Sequence, residues 1–328
     1  MRAVTYAQFG DAEKVLILKD VPVPTPNEGE VLIKIHFSGV NPSDAKARMG
    51  NRPGLTRPAF DEIIPHSDGS GVITKVGLGV DPCRIGERVW IWNAQWSRAH
   101  GSAAEFIALP HEQAIAMPEN MSYETGACLG IPGLTAAHSV LNDGSLTDQT
   151  LFISGGAGSV GNNAIQLAKW SGANVIASGS PNAFEYIRQA GADHVLDYND
   201  PLLCQKVLEI VPNGVDRAIE VEFGENVEFL HEIVRPSGKI SVFGSAKNMS
   251  PTLPFGSYLF KAIKIDIILV YILSVGYRKT AIKALHDAHD SDNFRPTIHK
   301  IYDLSECALA HNESLKSGRR GAILLRVN

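Results

Sequence analysis

The pattern of hydrophobic and polar positions divides the chain into parts of different character. From residue 1 to about 120, apolar residues occur in short runs such as 31–37, 71–77 and 88–92, separated by glycines and prolines. Short runs rich in Val and Ile and bounded by such turn residues predict β-strands. We therefore expect an irregular β domain with few long helices in this part of the chain.

The pattern changes near residue 150, where short apolar runs begin to alternate with segments of helical periodicity. The apolar runs lie at 151–154, 174–178, 194–197, 216–220 and 239–244. Strands that alternate with helices predict βαβ units and a parallel sheet, and units of roughly 20–30 residues are typical of a doubly wound domain. We expect helices after the first strand and near 183–189, 202–210 and 226–234.

The segment after residue 248 breaks this alternation. Residues 263–275 are apolar, 279–288 have helical periodicity, and 322–327 predict another strand. The simplest architecture is an α/β domain inserted into the β-rich domain. We place residues 1–121 in the first part of the β-rich domain, 122–262 in the α/β domain and 263–328 in the return to the β-rich domain.

The first turn of the α/β segment contains a GxGxxG motif formed by Gly156, Gly158 and Gly161. The motif follows a predicted strand and opens a predicted helix, which is the context in which it binds a dinucleotide. The first glycine permits the tight turn, the second lets the backbone approach a pyrophosphate, and the third lets helix and strand pack closely. The N–H groups around Ser159 and Val160 would then face the phosphates. We expect a dinucleotide site rather than a simple turn.

The residues after the second predicted strand of this domain bear on which dinucleotide is bound. An NAD site normally has Asp or Glu there, about 20 residues after the motif, to accept from the ribose 2′-hydroxyl. Residues 177–182 read ASGSPN and contain no carboxylate. Ser180 and Asn182 can donate to a 2′-phosphate, which a carboxylate would repel. This favours NADPH, although both residues are also ordinary members of a loop.

Composition and charge narrow the class of protein. The 328 residues are enough for two domains, and 30 Lys and Arg against 35 Asp and Glu give a net charge of −5, which makes nucleic acid an improbable partner. The four cysteines at 83, 128, 204 and 307 are widely spaced, which excludes CxxC metal sites. The first residues lack the apolar core of a signal peptide, and the apolar run at 267–277 is too short to span a bilayer. We expect a cytoplasmic protein.

A series of short motifs covers essentially the whole chain. They are GVNPSD at 39–44, PHSDGSG at 65–71, GLTA at 133–136, GGAGSVG at 155–161, GAD at 191–193, DY at 197–198 and VFGS at 242–245. In order and spacing they resemble the zinc-free quinone oxidoreductase branch of the medium-chain dehydrogenase/reductase superfamily, the zeta-crystallin-like enzymes. The resemblance implies a GroES-like catalytic domain split around a Rossmann domain. It also implies NADPH as cofactor, a homodimer, and hydride transfer to quinones or α,β-unsaturated carbonyl compounds.

The resemblance also implies roles for individual residues. The candidates near the nicotinamide and the reacting atoms are Asn41, Lys46 and Thr135. Those for the rest of the cofactor are Ala157, Gly158, Ser159, Val160 and Gly161 at the pyrophosphate, Gly179, Ser180 and Tyr198 around the 2′-phosphate, and Phe243, Gly244 and Ser245 on the nicotinamide side. Many relatives have Tyr at position 46, so Lys46 either pairs with a cofactor phosphate or points to solvent.

The positions that bind zinc in other members of the superfamily differ here. Zinc enzymes have Cys in place of Asn41 and a His–Glu pair in place of Ser67 and Asp68, together with a cluster of four cysteines. Zinc needs three or four ligands, which His66 and Asp68 alone do not provide. We expect no metal and interpret both as hydrogen-bonding residues of a turn. Many relatives have Gly at position 66, so His66 is interpreted either as an exposed loop residue or as part of the substrate entrance.

Three further expectations concern two tryptophans, an apolar segment and an alternative function. Trp90 is expected in a hydrophobic core and Trp96 at the edge of a cleft. The apolar residues 267–273 either form a strand that pairs with a second subunit or pack within their own subunit. The alternative function is an NADPH-binding protein with a structural or single-strand RNA-binding role and little turnover.

Overall fold

A computed structural model describes residues 1–51 and 56–328 of the chain. The strands are β1 Arg2–Thr5, β2 Ile17–Asp20, β3 Glu30–Val40, β4 Asp68–Val76, β5 Arg88–Ile91, β6 Phe106–Pro110, β7 Ala114–Ala116, β8 Thr150–Ile153, β9 Asn174–Gly179, β10 His194–Asp197, β11 Val215–Glu220, β12 Val234–Val242, β13 Lys264–Ile267, β14 Ile298–Asp303 and β15 Ala322–Arg326. The α-helices are α1 Ala12–Val15, α2 Pro42–Arg48, α3 Tyr123–Gly126, α4 Leu134–Leu141, α5 Ser159–Trp170, α6 Phe184–Gln189, α7 Leu203–Ile210, α8 Phe223–Ile233, α9 Phe255–Phe260, α10 Val275–Asp290 and α11 Cys307–Ser314.

The chain forms two compact units, whose boundaries differ from those expected. The β-rich unit comprises Met1–Ile131 and Ile298–Asn328, and the α/β unit comprises Pro132–Thr297. The expected boundaries at 121/122 and 262/263 therefore lie too early. Residues 263–297 stay with the α/β unit because β13 pairs in parallel with β12 and because α10 lies against α4, where the rings of Tyr277 and His138 are 5.1 Å apart.

The β-rich unit is built on a seven-stranded sheet in the order β14-β15-β3-β4-β5-β7, with β6 also paired to β3. The strand β15 lies inside this sheet, parallel to β14 and antiparallel to β3. The core contains the inward-facing residues Val31, Ile33 and Ile35 of β3, and Trp90 is fully buried, as expected from the sequence. The outer ends of the chain therefore meet in one β domain.

The α/β unit contains a six-stranded sheet in the order β10-β9-β8-β11-β12-β13, and every neighbouring pair is parallel. Its central strands are fully buried at Phe152, Ala218 and Ile240. The order reverses between β8 and β11, which is the point where ligands bind in doubly wound folds. The predicted GroES-like plus Rossmann fold class is confirmed, with β10 at the bounds expected from the sequence.

The sheet of the α/β unit ends at β13, and the apolar residues that follow alternate between inside and outside. Ile267 is 79% exposed and Ile272 is 69% exposed, whereas Ile268 and Val270 are only 7% and 6% exposed. The segment thus packs within its own unit with one face and leaves apolar side chains on the other. Along residues 1–51 and 56–328, no helix is long and apolar enough to cross a lipid bilayer.

Candidate active site

The loop between β8 and α5 shapes the first part of the site. Gly155 has a left-handed φ of +66°, and the N–H of Gly158 donates to the Gly155 carbonyl oxygen at 3.0 Å, so the chain turns sharply before the helix. The residue before α5 is Gly158, which offers no side-chain cap to the first turn. The N–H groups of Ser159, Val160 and Gly161 have no carbonyl four residues earlier within the helix to bind. They therefore point outward as donors for an anion.

The glycines of this loop serve two different purposes. A Cβ atom at Gly161 would lie 2.3 Å from the Gly155 carbonyl oxygen, so this glycine is required for the helix to pack against the loop. A Cβ at Gly158 would meet only the Gly155 oxygen, at 3.5 Å, which is an ordinary contact. The space over Gly158 is therefore free of described protein atoms and suits the close approach of a phosphate.

The ends of β9 and β10 form the next part of the site. The hydroxyl of Ser180 donates to Asn182 Oδ1 at 2.6 Å, directly after β9. The N–H of Tyr198 donates to the Gly179 carbonyl oxygen at 3.3 Å, so the two strand ends lie side by side. The carboxylate of Asp197, which ends β10, accepts from the N–H of Asn199 in its own turn. The end of β9 thus offers hydroxyl and amide groups.

A buried carboxyl group that the sequence analysis missed lies at the end of β11. Glu220 Oε1 accepts from Ser154 Oγ at 3.1 Å and from Asn226 Nδ2 at 3.0 Å. Burial raises the pKa of this carboxyl group. The signal was present in the sequence, because an acidic residue ends a predicted central strand. Its backbone carbonyl accepts from the N–H of Phe243 at 3.0 Å, which links the end of β11 to the segment after β12.

The segment after β12 is held by its own hydrogen bonds. The hydroxyl of Ser245 accepts from the N–H of Gly224 at 2.9 Å and donates to the Asn248 carbonyl oxygen. A Cβ at Gly244 would lie 2.3 Å from the Val221 carbonyl oxygen, so only glycine fits there. These contacts place residues 243–245 beside the end of β11.

In the β-rich unit, Asn41 precedes α2 and is held from two sides. Its N–H donates to Asp44 Oδ2 at 2.8 Å, and its Nδ2 donates to Asp68 Oδ2 at 2.7 Å. The other oxygen of Asp68 accepts from the N–H of Ile131 at 2.8 Å. Burial raises the pKa of Asp68 well above its usual range, while these two donors act in the opposite direction. Asp68 therefore fixes the orientation of the Asn41 amide.

His66, the residue before Ser67, lies in the interior of the β-rich unit. His66 is fully buried at a left-handed φ of 79°, so it is neither an exposed loop residue nor part of a substrate entrance, whereas its interpretation as a hydrogen-bonding residue agrees with its contacts. Its carbonyl oxygen accepts from the N–H of Ser102, and its ring contacts Ser38 and His311 inside the β-rich unit. The burial follows from contacts with a helix more than 240 residues away in the chain.

Comparisons with known proteins agree with this architecture. Residues 27–119 match the alcohol dehydrogenase GroES-like domain, and residues 159–287 match the zinc-binding dehydrogenase family. The quinone oxidoreductase of Rattus norvegicus is 28% identical over 339 residues, which cover 99% of this chain and 97% of that protein. The chain belongs to the quinone oxidoreductase branch of the medium-chain dehydrogenase/reductase superfamily.

Two solved structures of the superfamily have the same fold over the full length of both chains. An NAD-dependent alcohol dehydrogenase is 25% identical with a TM-score of 0.89. A mycobacterial protein in complex with NADPH is 24% identical with a TM-score of 0.87. The same fold thus occurs in a protein named for NAD and in one solved with NADPH. A nicotinamide cofactor follows for this chain from its family, and the glycine-containing loop between β8 and α5 has the donors that such a cofactor requires.

Within each unit, the structure groups most of the residues that the quinone oxidoreductase motifs point to. Residues 157–161, 179–180, 198 and 243–245 all follow the carboxyl ends of strands in one sheet. Thr135 lies apart from them on α4, where it is buried and its carbonyl oxygen accepts from Ser139 Oγ. In the other unit, Asn41 is buried and Lys46 half-buried at α2.

Proposed function

We propose that this protein is an NADPH-dependent oxidoreductase that transfers hydride to a quinone or an α,β-unsaturated carbonyl compound without a catalytic zinc ion. The observation that carries the proposal is the pair formed by Asn41 and Asp68, at positions where zinc enzymes of the superfamily have metal ligands. Here the Asn41 amide donates to the Asp68 carboxylate, so the pair is satisfied by a hydrogen bond. The name of the rat relative supports quinones as substrates.

The choice of NADPH is supported by the end of β9. The Ser180 hydroxyl and the Asn182 amide stand where an NAD site normally has a carboxylate. The Asn182 amide nitrogen can donate to a 2′-phosphate, and the Ser180 hydroxyl can do so by turning away from Asn182 Oδ1. A doubly negative phosphate thus meets donors at the end of β9, where an NAD site would have a carboxylate of like charge.

The residues of the chain bind and orient the cofactor and the substrate, while the bound dinucleotide supplies the hydride. The N–H groups of Ser159 and Val160 hold the pyrophosphate at the start of α5. One N–H of Asn41 Nδ2 donates to Asp68, so Asn41 can offer its Oδ1 as an acceptor and its second Nδ2 hydrogen as a donor to a ligand. The oxygen of the reduced substrate gains negative charge and needs a donor, for which Asn41, Lys46, a backbone N–H or water are the candidates.

We further propose a homodimer formed along β13. This strand is the free edge of its sheet, and an exposed apolar edge favours pairing with another strand. Ile267 and Ile272 supply the exposed apolar side chains beside that edge. Pairing with a second copy would satisfy the backbone groups of β13 and cover both side chains.

The proposed function is tested by steady-state kinetics with a panel of quinones and enones, using NADPH and NADH. Ser180→Asp should shift the preference toward NADH by about tenfold or more, because two charges at ~4 Å repel by roughly 1 kcal/mol in water and by more near a protein surface. Ser145→Asp is the matched control, since Ser145 also bonds a side chain two residues later but lies before the amino end of β8, whereas Ser180 follows the carboxyl end of β9. NADPH binding without turnover of any acceptor would contradict the proposed enzymatic activity and favour the alternative, an NADPH-binding protein with a structural or single-strand RNA-binding role.

A further inference from the structure

A cluster of three metal-binding side chains lies inside the β-rich unit, apart from the Asn41–Asp68 pair. Cys307 and His311 are four residues apart on α11 and so share one face of that helix. His66 meets them from the residues before β4. Its Nε2 is 2.9 Å from His311 Nε2 and 3.9 Å from Cys307 Sγ, and the three donor atoms all lie within 4.8 Å of one another. None of the three residues is more than 1% exposed.

A chain of hydrogen bonds fixes where His66 carries its proton. The Asp68 carbonyl oxygen can only accept, so the Ser102 hydroxyl donates to it. The Ser38 hydroxyl, 2.8 Å from Ser102 Oγ, must then donate to Ser102 and accept from His66 Nδ1, also at 2.8 Å. His66 therefore carries its proton on Nδ1 and presents a lone pair on Nε2.

This arrangement is the one that metal-binding histidines adopt. A ligating histidine almost always donates its other ring N–H to an oxygen, which fixes the ring and its tautomer. In the β-rich unit, the Ser38–Ser102 hydrogen-bond chain provides that support, and the bare Nε2 of His66 faces the other two donor atoms. The tautomer of His66 is therefore evidence for a metal site that does not depend on the proximity of the three side chains.

We propose that His66, Cys307 and His311 form a buried transition-metal site that binds Zn²⁺. Tetrahedral zinc bonds of about 2.0–2.1 Å to nitrogen and about 2.3 Å to sulfur separate two nitrogens by roughly 3.3 Å and a nitrogen and a sulfur by roughly 3.6 Å. The observed separations of 2.9 Å and 3.9 Å differ from these by a few tenths of an ångström. A solvent molecule completes the four ligands.

Binding requires a definite redistribution of protons. Burial lowers the pKa of His311 to about 3, so both imidazoles are neutral and have no charge to lose. The thiol proton of Cys307 leaves to solvent, and the proton of His311 moves from Nε2 to Nδ1. Burial raises the pKa of the Cys307 thiol well above its usual range; Asp44 on α2 acts in the same direction and Arg48 in the opposite one. The bound ion must therefore supply the free energy that deprotonation of this thiol costs. Zinc and thiolate then form coordinate bonds with no change of oxidation state.

The inferred ion has a structural role. Each of the three protein ligands is at most 1% exposed, so the fourth position, held by a buried water, is out of reach of a substrate, whereas a catalytic zinc keeps a position open to it. The ion would tie α11 to the segment before β4, two parts of the unit that lie far apart in sequence. Its binding is therefore expected to raise the unfolding temperature and to leave the turnover number unchanged.

The test uses the full chain, stripped with a chelator and then titrated with Zn²⁺ or Co²⁺. We expect one ion per chain, a thiolate-to-cobalt charge-transfer absorption with Co²⁺, and a higher unfolding temperature with Zn²⁺. Cys307→Ala should abolish all three. The control is Cys128→Ala, which removes another buried cysteine of the same unit and should retain them. Binding of no ion, or equal binding by Cys307→Ala, would overturn the site.

A second variant covers the case in which Cys307→Ala does not fold. Ser38→Ala keeps all three ligands but removes the acceptor of the His66 N–H, and should weaken zinc affinity by about 10–100-fold. Unchanged affinity in Ser38→Ala would overturn the hydrogen-bond assignment and the proposal with it. Turnover of stripped and loaded protein is recorded in parallel, so that failure of the metal site and failure of the proposed reductase activity are separate results.

Discussion

The glycines before α5 allow folding and cofactor binding to be perturbed separately. In Gly161→Ala the new Cβ would lie 2.3 Å from the Gly155 carbonyl oxygen and 3.0 Å from Gly156 Cα, both backbone atoms. Since ordinary contact begins at 3.4 Å, the loop must move by about 1 Å relative to the helix. In Gly158→Ala the nearest atom is 3.5 Å away and φ is −72°, which any residue adopts.

The expected changes in stability and in NADPH affinity follow from these distances. Overpacking a tight site costs typically 1–3 kcal/mol, and alanine recovers roughly 0.5–1 kcal/mol over glycine within a helix. We expect Gly161→Ala to lose about 1–2 kcal/mol, or roughly 2–8 °C in unfolding temperature for a unit of this size. Gly158→Ala should lose no more than about 1 kcal/mol, or roughly 2–4 °C, because alanine is a poorer N-cap than glycine but meets no steric clash at this position. Its methyl group should nevertheless reduce NADPH affinity at least tenfold, since it occupies the phosphate approach.

The assay pairs thermal unfolding by circular dichroism with NADPH affinity by calorimetry. Gly276→Ala is the control, because a Cβ there meets nothing within 4 Å on another helix of the same unit. This variant should be at least as stable as the parent and bind NADPH equally. Parental affinity in Gly158→Ala would show that the phosphates bind elsewhere, and parental stability in Gly161→Ala would refute the packing role.

Three further predictions concern the metal, the dimer and the Asn41 pair. Removal of bound metal by a chelator should leave NADPH turnover unchanged, and a loss that added zinc restores would contradict zinc-independent catalysis. Ile267→Asp should convert the homodimer to a monomer, as measured by light scattering. Ile17→Asp, at another exposed apolar position, should leave the dimer intact. A monomeric parent protein would refute the proposed dimer. Asp68→Ala leaves two donors unpaired, those of Asn41 and Ile131, and should lower the free energy of unfolding in urea by about 1–3 kcal/mol for each of them. An unchanged midpoint of urea unfolding would show that water replaces the carboxylate.

The α/β unit could be predicted from the sequence because its signals are local. Strands of the parallel sheet are short apolar runs between helices, and β10 and the start of β9 lie where the runs predicted them. The GxGxxG motif likewise places its glycines through contacts within a few residues, as at Gly155 and Gly161. Local periodicity and local backbone geometry are what a single sequence carries most directly.

The unit boundaries and His66 could not be predicted because both depend on distant contacts. The helix α10 has apolar and polar faces that would suit either unit, and its place is decided by its contact with α4. His66 lies among turn residues, which are typical of a surface loop, and is buried by His311 on α11. Similarly, the sequence of the apolar residues 267–273 does not indicate which side chains face the interior. Val270 is buried in its own unit, so Ile267 is the better probe of an interface.

The position of β15 has a consequence for how the chain acquires its structure during synthesis. Residues 132–297 form one continuous unit and can fold as soon as they leave the ribosome. The sheet of the other unit stays incomplete until residues 298–326 have been made, because β15 pairs with residues 37–40 of β3, whereas β6 pairs with residues 30–34. Until then residues 37–40 present an open edge of the kind that invites aggregation. Nascent chains that stall between residues 297 and 322 should therefore depend on chaperones to a degree that finished chains do not.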